Sequence, residues 1–303
     1  MEIIAKVKLS SPPSNIIELK NGNYAFSVKK NTIIMNNHSF VIKEELKNHS
    51  DEINRIIETK NGHLITISSD KTIAINELDE NNNYRLLQRI NEPKKINSII
   101  ELSTNELLTC NCDDKIRIYK YNTENKKYEL DNTEKLEHLP THCFEVKNGK
   151  ILILTFDGKG NQLRLFCYDI QKRKIEKMLN SHISIFWNNH ESIFNISDKL
   201  LGIILCESII ILDKENISII QEIQTKSLVE GLSKFINYSI IFTTIDRKIY
   251  LLESNEDGIW SYKQKTDDVN FDNEKISTFF KTSNGQFIMG TQDGIKIFKL
   301  LNN

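Results

Sequence analysis

One short pattern recurs along the whole 303-residue chain and restricts its fold more than any other feature. The second copy, "RIIETKNGHLITISSDKTIAI", contains an apolar pair, a turn residue at Gly62, an apolar run and an acid at Asp70. Equivalent turn residues lie 39 to 50 residues apart, at Gly22, Gly62, Asn105, Gly149, Lys199, Tyr238 and Gly285. A repeat of this length indicates an array of similar structural units.

The interval between turn residue and acid is also regular. Eight residues after the turn residue, six of the seven copies carry an acid and the first carries Lys30. These acids are Asp70, Asp113, Asp157, Glu207, Asp246 and Asp293. A strand of about six residues between two tight turns fills this interval. Gly or Asn tolerates positive φ in the first turn, and Asp accepts backbone hydrogen bonds in the second.

Alternating, β-branched segments such as "TIAI", "KIRIY" and "GIKIF" follow the acids, and a more charged segment ends each unit. Four short strands in each of seven units predict an all-β fold, a seven-bladed β-propeller formed by a single domain over residues 1–303.

The two ends of the chain predict how the propeller closes. The last unit has only two strands after Gly285, whereas Ile3, Ala5, Val7 and Leu9 alternate before the first unit. We predict that this N-terminal strand joins the last blade and closes the ring, which removes exposed sheet edges. The alternative is a disordered N-terminal tail.

The second unit, "NHSDEINRIIETKNGHLITISSDKTIAI" (48–75), resembles a WD repeat. Asn48-His49 stands where that family has Gly-His, and Tyr119 and Phe298 stand where it has the Trp of Trp-Asp in the third and seventh units. The resemblance covers essentially the whole chain, although no Trp-Asp dipeptide occurs. Kelch repeats fit less well because the sequence lacks their doubled glycine. Sialidase Asp-boxes fit less well because the sequence lacks their spacing.

The WD-repeat resemblance also implies a hydrogen-bonded tetrad of His, Ser or Thr, Asp and Trp within a blade. The second unit retains His49 and Asp70, with Asn76 at the Trp position.

Composition excludes several classes of function. Lys and Arg number 40 against 41 Asp and Glu, which argues against bulk nucleic-acid binding. Five cysteines without regular spacing indicate reduced thiols. The N-terminal segment "MEIIAKVKLS" lacks a signal-peptide core, and no apolar run is long enough to span a bilayer. We therefore expect a cytoplasmic protein without membrane insertion.

Candidate catalytic and metal-binding groups have simpler interpretations. Cys110, Cys112, His138, His142 and Cys143 include zinc-ligand types, but the cysteines fall where small buried residues belong. No nucleophile motif is present, and "DGKGNQ" (157–162) lacks the Lys-Ser/Thr of a phosphate loop. The basic run 171–177 is interpreted as a solvated strand edge. We expect no metal, no cofactor and no catalytic residue.

One segment, 180–194, is not explained by the repeat. It contains Phe186 and Trp187, which either fold back onto the core or bind a partner. We predict that it shares one face with His49 and the turn acids, so the candidate partner-binding residues are Phe186, Trp187, His49, Asp70, Asp113 and Asp157.

The WD-repeat resemblance implies a non-enzymatic scaffold or adaptor subunit that binds other proteins or peptides. The alternative is a propeller-type hydrolase or lactonase with acids at the central channel.

Overall fold

The computed structural model describes residues 2–147, 149–156, 162–184, 193–204, 208–234, 240–244, 246, 248–255, 257–264 and 276–299. Its strands form seven four-stranded antiparallel sheets, each a simple meander apart from the contribution of the first strand. The chain divides into two compact units. One comprises Lys30–Thr32 and Glu44–Phe186, and the other comprises Met1–Lys29, Ile33–Lys43 and Trp187–Asn303.

Three sheets lie in the unit that contains Glu44–Phe186. The first consists of β6 (Ile53–Glu58), β7 (Leu64–Ser68), β8 (Thr72–Leu78) and β9 (Tyr84–Asn91). The second consists of β10 (Ile96–Glu101), β11 (Leu107–Asn111), β12 (Lys115–Asn122) and β13 (Lys127–Lys135). The third consists of β14 (Leu139–Lys147), β15 (Lys150–Phe156), β16 (Gln162–Asp169) and β17 (Lys174–Ser184).

The other unit contains two sheets built from consecutive strands. They are β18 (Ile193–Asn195), β19 (Leu200–Ile204), β20 (Ser208–Asp213) and β21 (Ser218–Gln224), and then β22 (Val229–Lys234), β23 (Ile240–Thr244), β24 (Ile249–Ser254) and β25 (Trp260–Gln264).

Two further sheets lie near the chain ends. The first repeat forms β2 (Ser14–Glu18), β3 (Tyr24–Val28), β4 (Asn31–Met35) and β5 (Ile42–Leu46). The last repeat forms β26 (Ile276–Lys281), β27 (Phe287–Thr291) and β28 (Gly294–Lys299), and β1 (Glu2–Lys8) pairs with β28 as its fourth strand.

The pairing of β1 with β28 confirms the prediction that the N-terminal segment joins the last repeat. Val7 lies opposite Ile295 and Lys8 opposite Gly294. Ala5, Val7 and Leu9 pack against the core, as the alternation predicts. Ile3 does not follow that prediction: a register shift separates it from Ala5, and its side chain is 41% exposed.

The turn residues lie between the first and second strands of their sheets, as expected. Gly22, Gly62, Asn105, Gly149 and Gly285 adopt φ of 83°, 83°, 67°, 76° and 81°. This left-handed conformation explains the preference for Gly and Asn at these turns. Tyr238 lies outside the described residues.

The core lies between neighbouring sheets. Buried aliphatic and aromatic side chains of one sheet pack against those of the next, as with Ile67 and Ile99 in one cluster and Phe26 and Ile297 in another. The middle strands β3, β7, β11 and β27 are buried along their whole lengths. Because both faces are covered, these strands are mostly apolar and have no solvent-exposed polar face; their polar residues, such as Thr66 and Asn111, are buried.

One kind of side-chain hydrogen bond joins neighbouring sheets and recurs at equivalent positions of three repeats. The side-chain amide of Asn54 donates to the Ile96 carbonyl at 3.0 Å, and that of Asn97 donates to the Pro140 carbonyl at 2.9 Å. The Ser277 hydroxyl donates to the Pro13 carbonyl at 2.7 Å in the same way. The last repeat therefore contacts the first as the second contacts the third.

A second contact uses a glutamate of one sheet and a turn of the preceding one. Glu101 accepts from the Lys60 amide at 2.8 Å. Glu18 accepts from the Ser283 amide at 2.6 Å, again joining the first repeat to the last.

The part of the chain that the structure describes contains no helix with the length and apolar character that a membrane crossing requires.

Candidate functional site

A buried polar network surrounds His49 in the second repeat. The imidazole Nδ1 lies 3.1 Å from Asp70 Oδ2, and Nε2 lies 2.7 Å from the Thr66 hydroxyl. Since a carboxylate only accepts, Nδ1–H donates to Asp70 and the Thr66 hydroxyl donates to Nε2. Asp70 also accepts from the backbone amides of Ser50 and Thr72, at 2.9 Å each. Asp70 therefore orders its turn through backbone hydrogen bonds, as predicted.

Ionisation in this network favours neutral histidine and charged aspartate. Burial lowers the pKa of His49, against the opposing effect of Asp70. Burial raises the pKa of Asp70, but hydrogen bonds from Thr72 and Ser50 outweigh it and hold the pKa below its usual value. The side chains of His49 and Asp70 are only 1% and 5% exposed, so this network holds the turn of the second repeat and offers little surface to a ligand.

The third repeat has a different network at the equivalent positions. Glu92 stands 43 residues after His49, and Thr109 and Asp113 stand 43 residues after Thr66 and Asp70. Glu92 accepts from the amide of Asn111 at 3.0 Å and from the hydroxyl of Tyr119. The amide oxygen of Asn111 accepts in turn from Thr109 at 2.8 Å.

A single arginine links the two acids of this third-repeat network. Arg117 Nε lies 3.2 Å from Glu92 Oε2, and its terminal nitrogens donate to both carboxylate oxygens of Asp113, at 3.1 Å and 2.5 Å. Asp113 thus binds the Arg117 side chain, whereas Asp70 binds two backbone amides in addition to the His49 side chain. Burial raises the pKa of Glu92 to about 6, although Arg117 opposes this shift. A buried carboxyl that titrates near neutral pH is a feature of acid–base sites and of structural ion pairs alike.

The other repeats have no such network within the described residues. At the position of Thr66 they carry buried apolar side chains, namely Phe26, Ile153, Ile203, Phe242 and Met289. At the position of His49 the fourth repeat carries Leu136, which is buried in the core. Among the residues that the structure describes, the two polar networks are therefore specific to the second and third repeats.

An open cleft of about 660 Å³ lies directly beside the third-repeat network. One wall is the end of β9 together with Pro93, and the other is formed by β12 and β13. Glu92, Arg117 and Tyr119 form its floor. These three groups are buried and bonded to one another, so the cleft presents its ligand-accessible groups on the walls.

The cleft walls combine basic and apolar side chains. Arg89 and Lys115 line opposite walls, and Leu130, which is 55% exposed, lines the β13 wall. Near the Tyr128 side, the amide of Gln88 closes the gap between the outer strands. It donates to the Tyr128 carbonyl at 2.9 Å and accepts from the Tyr128 amide at 2.8 Å. An equivalent pair of hydrogen bonds joins the Gln221 side-chain amide to the Trp260 backbone in the other unit.

The structure brings together only part of the predicted partner-binding set. His49 and Asp70 are in contact, and Asp113 lies in the equivalent network of the next repeat. Asp157, Phe186 and Trp187 lie outside the described residues, as does most of the loop 157–162.

Of the four cysteines among the described residues, three are buried and Cys112 is the exception. Cys110 and Cys143 are buried in one apolar cluster, and burial raises the pKa of the Cys110 thiol. Cys112, predicted at a position for a small buried residue, follows the end of β11 and is only half-buried, with its thiol 3.1 Å from the Asn97 side-chain oxygen. Among the described residues, no group of three or more His, Cys, Asp or Glu side chains could hold a metal ion.

Sequence reasoning missed the cleft. Glu92, Arg117 and Leu130 come from separate segments of two repeats, so no short motif contains them. The repeat alignment did contain a signal, because Glu92 replaces His49 and Arg117 replaces Ala74 at equivalent positions. Two charges introduced together at core positions indicate a compensating pair.

The sequence matches no protein-family profile. No curated protein is similar to it in sequence. The fold and the repeat place the chain among the all-β β-propellers. Among solved structures it is similar to a streptogramin B lyase, with a TM-score of 0.70 and 14% identity over 96% of this chain and 95% of that one. Such a likeness at low identity shows the fold alone.

Proposed function

We propose that this protein is a non-enzymatic interaction scaffold or adaptor subunit that binds other proteins or peptides. The cleft between β9 and β12–β13 carries the proposal. Its buried floor groups are bonded to each other, while its walls present basic and apolar side chains to solvent. A recess with an apolar anchor point and a polar rim has the composition of a protein-binding site.

The proposal also includes a relationship to the WD-repeat family. The His49–Asp70–Thr66 network has the partners of a WD-repeat tetrad, and this supports a WD-repeat-like origin. Asn76 takes the place of the Trp, and it accepts a 2.7 Å hydrogen bond from the Asn48 amide. The N-terminal strand closes the propeller between the last and first repeats. The Ser277–Pro13 and Glu18–Ser283 contacts support this closure.

The segment 180–194 remains a second proposed docking element through Phe186 and Trp187. Its support is the departure from the repeat length in the sequence.

A propeller-type hydrolase or lactonase is the second candidate function. Glu92 favours it, because a buried carboxyl with a pKa of about 6 beside Tyr119 and Arg117 has the ionisation that a general acid or base requires. The acids of this site line a cleft between two sheets, which differs from the central-channel site predicted from the sequence.

Two parallel measurements decide between the candidates. Tagged wild-type protein is recovered from its native cells and its partners are quantified by mass spectrometry, while purified protein is assayed against a panel of esters and lactones. If the protein is a scaffold, a partner should be recovered in a nearly equal molar amount. Wild type and Glu92→Gln should then show the same background turnover of the esters and lactones. Turnover that Glu92→Gln abolishes, without a recovered partner, would establish the enzyme instead.

A further inference from the structure

We propose that the cleft between β9 and β12–β13 binds an acidic, extended peptide segment of a partner protein. This inference rests on the proposed scaffold function and names the chemistry of its partner. The peptide carboxylates meet Arg89, Lys115 and Lys135, and an apolar peptide side chain packs on Leu130.

The register of β12 and β13 separates charges between the two faces of the hairpin. Lys115 pairs with Lys135, Arg117 with Thr133 and Tyr119 with Leu130. Cross-strand partners share a face, so these six side chains lie on the face that contains the cleft.

The acids of β13 lie away from the cleft. Glu134 is opposite the buried Ile116, and Glu129 is opposite Lys120, on the other face. Asp131 pairs with Lys120, with 3.1 Å between Nζ and the carboxylate. They therefore cannot neutralise the cleft lysines at short range.

The cations of the cleft face differ in how far they are neutralised. Arg117 is compensated by Glu92 and Asp113, as described above. Lys115 and Lys135 form no ion pair within the described part of the chain. Of the acids directly before them in sequence, Asp114 lies in the turn before β12 and Glu134 lies on the other face of β13. Lys94 and Lys95, just after Pro93, extend the basic rim. The result is a local basic excess on a chain whose formal net charge is −1.

The apolar part of the cleft argues for a peptide rather than a bare anion. Leu130 is 55% exposed on the cleft wall, and Ile90 is half-buried on the opposite one. An exposed leucine beside uncompensated lysines on one face suits an extended peptide in which pairs of acids alternate with pairs of apolar residues. Successive side chains of an extended peptide point to opposite sides, so each side of such a peptide carries both kinds.

Fluorescence anisotropy with the full-length protein tests this proposal. The probe is a labelled peptide of about ten residues in which pairs of Asp alternate with pairs of Leu, long enough for one extended strand. Its controls are the Asn–Leu peptide, which lacks charge, the Asp–Ser peptide, which lacks apolar side chains, and oligo-thymidine as an unrelated polyanion. We expect saturable binding of the Asp–Leu peptide alone, weakening as salt screens the charges.

The variants locate the site. Lys115→Ala and Lys135→Ala should each weaken binding about tenfold, as expected for losing a charged hydrogen-bond donor. Leu130→Ser should weaken it similarly. Lys127→Ala is the matched control at the other end of β13 and should bind like wild type. All four should melt within a few degrees of wild type, about the range of neutral surface substitutions.

Three results would overturn the inference: no binding of the Asp–Leu peptide, equal binding of the Asn–Leu peptide or oligo-thymidine, or equal loss in Lys115→Ala and Lys127→Ala. If these occur while wild type still recovers a partner from cells, the cleft assignment fails and the scaffold function stands. If no partner is recovered and an ester or lactone is turned over, the scaffold function fails as well.

Discussion

His49 and Glu92 occupy the same position in consecutive repeats, and each lies at the centre of a buried polar network. The two networks use different chemistry. His49 is bonded to a carboxylate and a hydroxyl, whereas Glu92 is bonded to a guanidinium, an amide and a phenol. A histidine needs Asp70 as its acceptor, while a glutamate at that position needs a cation, which Arg117 supplies. In the third repeat, Glu92 and Arg117 also form part of the floor of the cleft to which we assign function.

Removing the hydroxyl of Thr66 should weaken the second repeat. Thr66→Val preserves shape but leaves Nε2 of the buried His49 without its 2.7 Å partner. We expect a loss of about 1–3 kcal/mol in the free energy of unfolding, the cost of an unsatisfied buried polar group. Thr123→Val, at an exposed turn position, is the control and should change it by less than about 0.5 kcal/mol. Equal effects in urea titrations would contradict this account of the network.

Acid should destabilise the protein through His49. Because burial lowers the pKa of His49, the unfolded chain binds the proton more readily, and stability is lost as pH falls below the usual value of 6.5. Asp70 acts in the same direction at lower pH, since its pKa lies below 3.8. His49→Gln should therefore lose stability at pH 7.5 but show a smaller decline in melting temperature between pH 7.5 and 5.5. Parallel pH profiles for the two proteins would refute this assignment.

Glu92 should act with the opposite sign. Its pKa rises from 4.5 to about 6 on folding, so its contribution to stability is present below pH 4.5 and is lost as pH rises through 6. The loss amounts to roughly 2 kcal/mol, from about 1.4 kcal/mol per pKa unit. The free energy of unfolding of Glu92→Gln relative to wild type should rise by about this amount between pH 4.5 and 7. A constant difference across that range would show that Glu92 keeps its ordinary pKa.

The docking of β1 should depend on Gly294. A Cβ at this residue would lie 2.1 Å from the Val7 carbonyl, so Gly294→Ala should displace β1 and destabilise by more than about 2 kcal/mol. Gly258→Ala is the matched control, because its φ is +79° but nothing lies within 4 Å of the added atom. It should cost only about 1 kcal/mol of backbone strain.

Deletion of residues 1–10 tests the same strand independently. It should lower the melting temperature markedly, and Gly294→Ala should then cost little more than Gly258→Ala. An unchanged melting temperature in the truncated protein would mean that β1 does not stabilise the last repeat.

The sheets could be predicted from the sequence because their signals are local. Glycine is the residue type that a turn with positive φ favours, and Gly62 and Gly285 adopt such a φ in the structure. The apolar runs between turn and acid form middle strands, which are buried on both faces. The pairing of β1 was predictable because Val7 and Leu9 continue the alternation of a strand that the last repeat lacks.

The candidate site was far less accessible to sequence reasoning. Asp70 and Asp113 look identical in the repeat, yet Asp70 binds His49 and two backbone amides while Asp113 binds Arg117. The difference depends on Ala74 of one repeat and Arg117 of the next. The repeat aligns these two positions, but only the structure shows that Arg117 reaches both Glu92 and Asp113. The cleft further requires β9 and β13 to approach each other, a relationship between strands of different repeats.

Partner recovery by a cleft variant tests the central claim most directly. Wild type, the double variant Lys115→Glu with Leu130→Ser, and the control Lys127→Glu are tagged, expressed in the native cells and compared by quantitative mass spectrometry, with melting temperatures measured in parallel. The account predicts that the double variant loses its partner at least about tenfold while melting like wild type, and that Lys127→Glu retains it. Equal recovery by all three proteins would contradict the claim that this cleft is the docking surface.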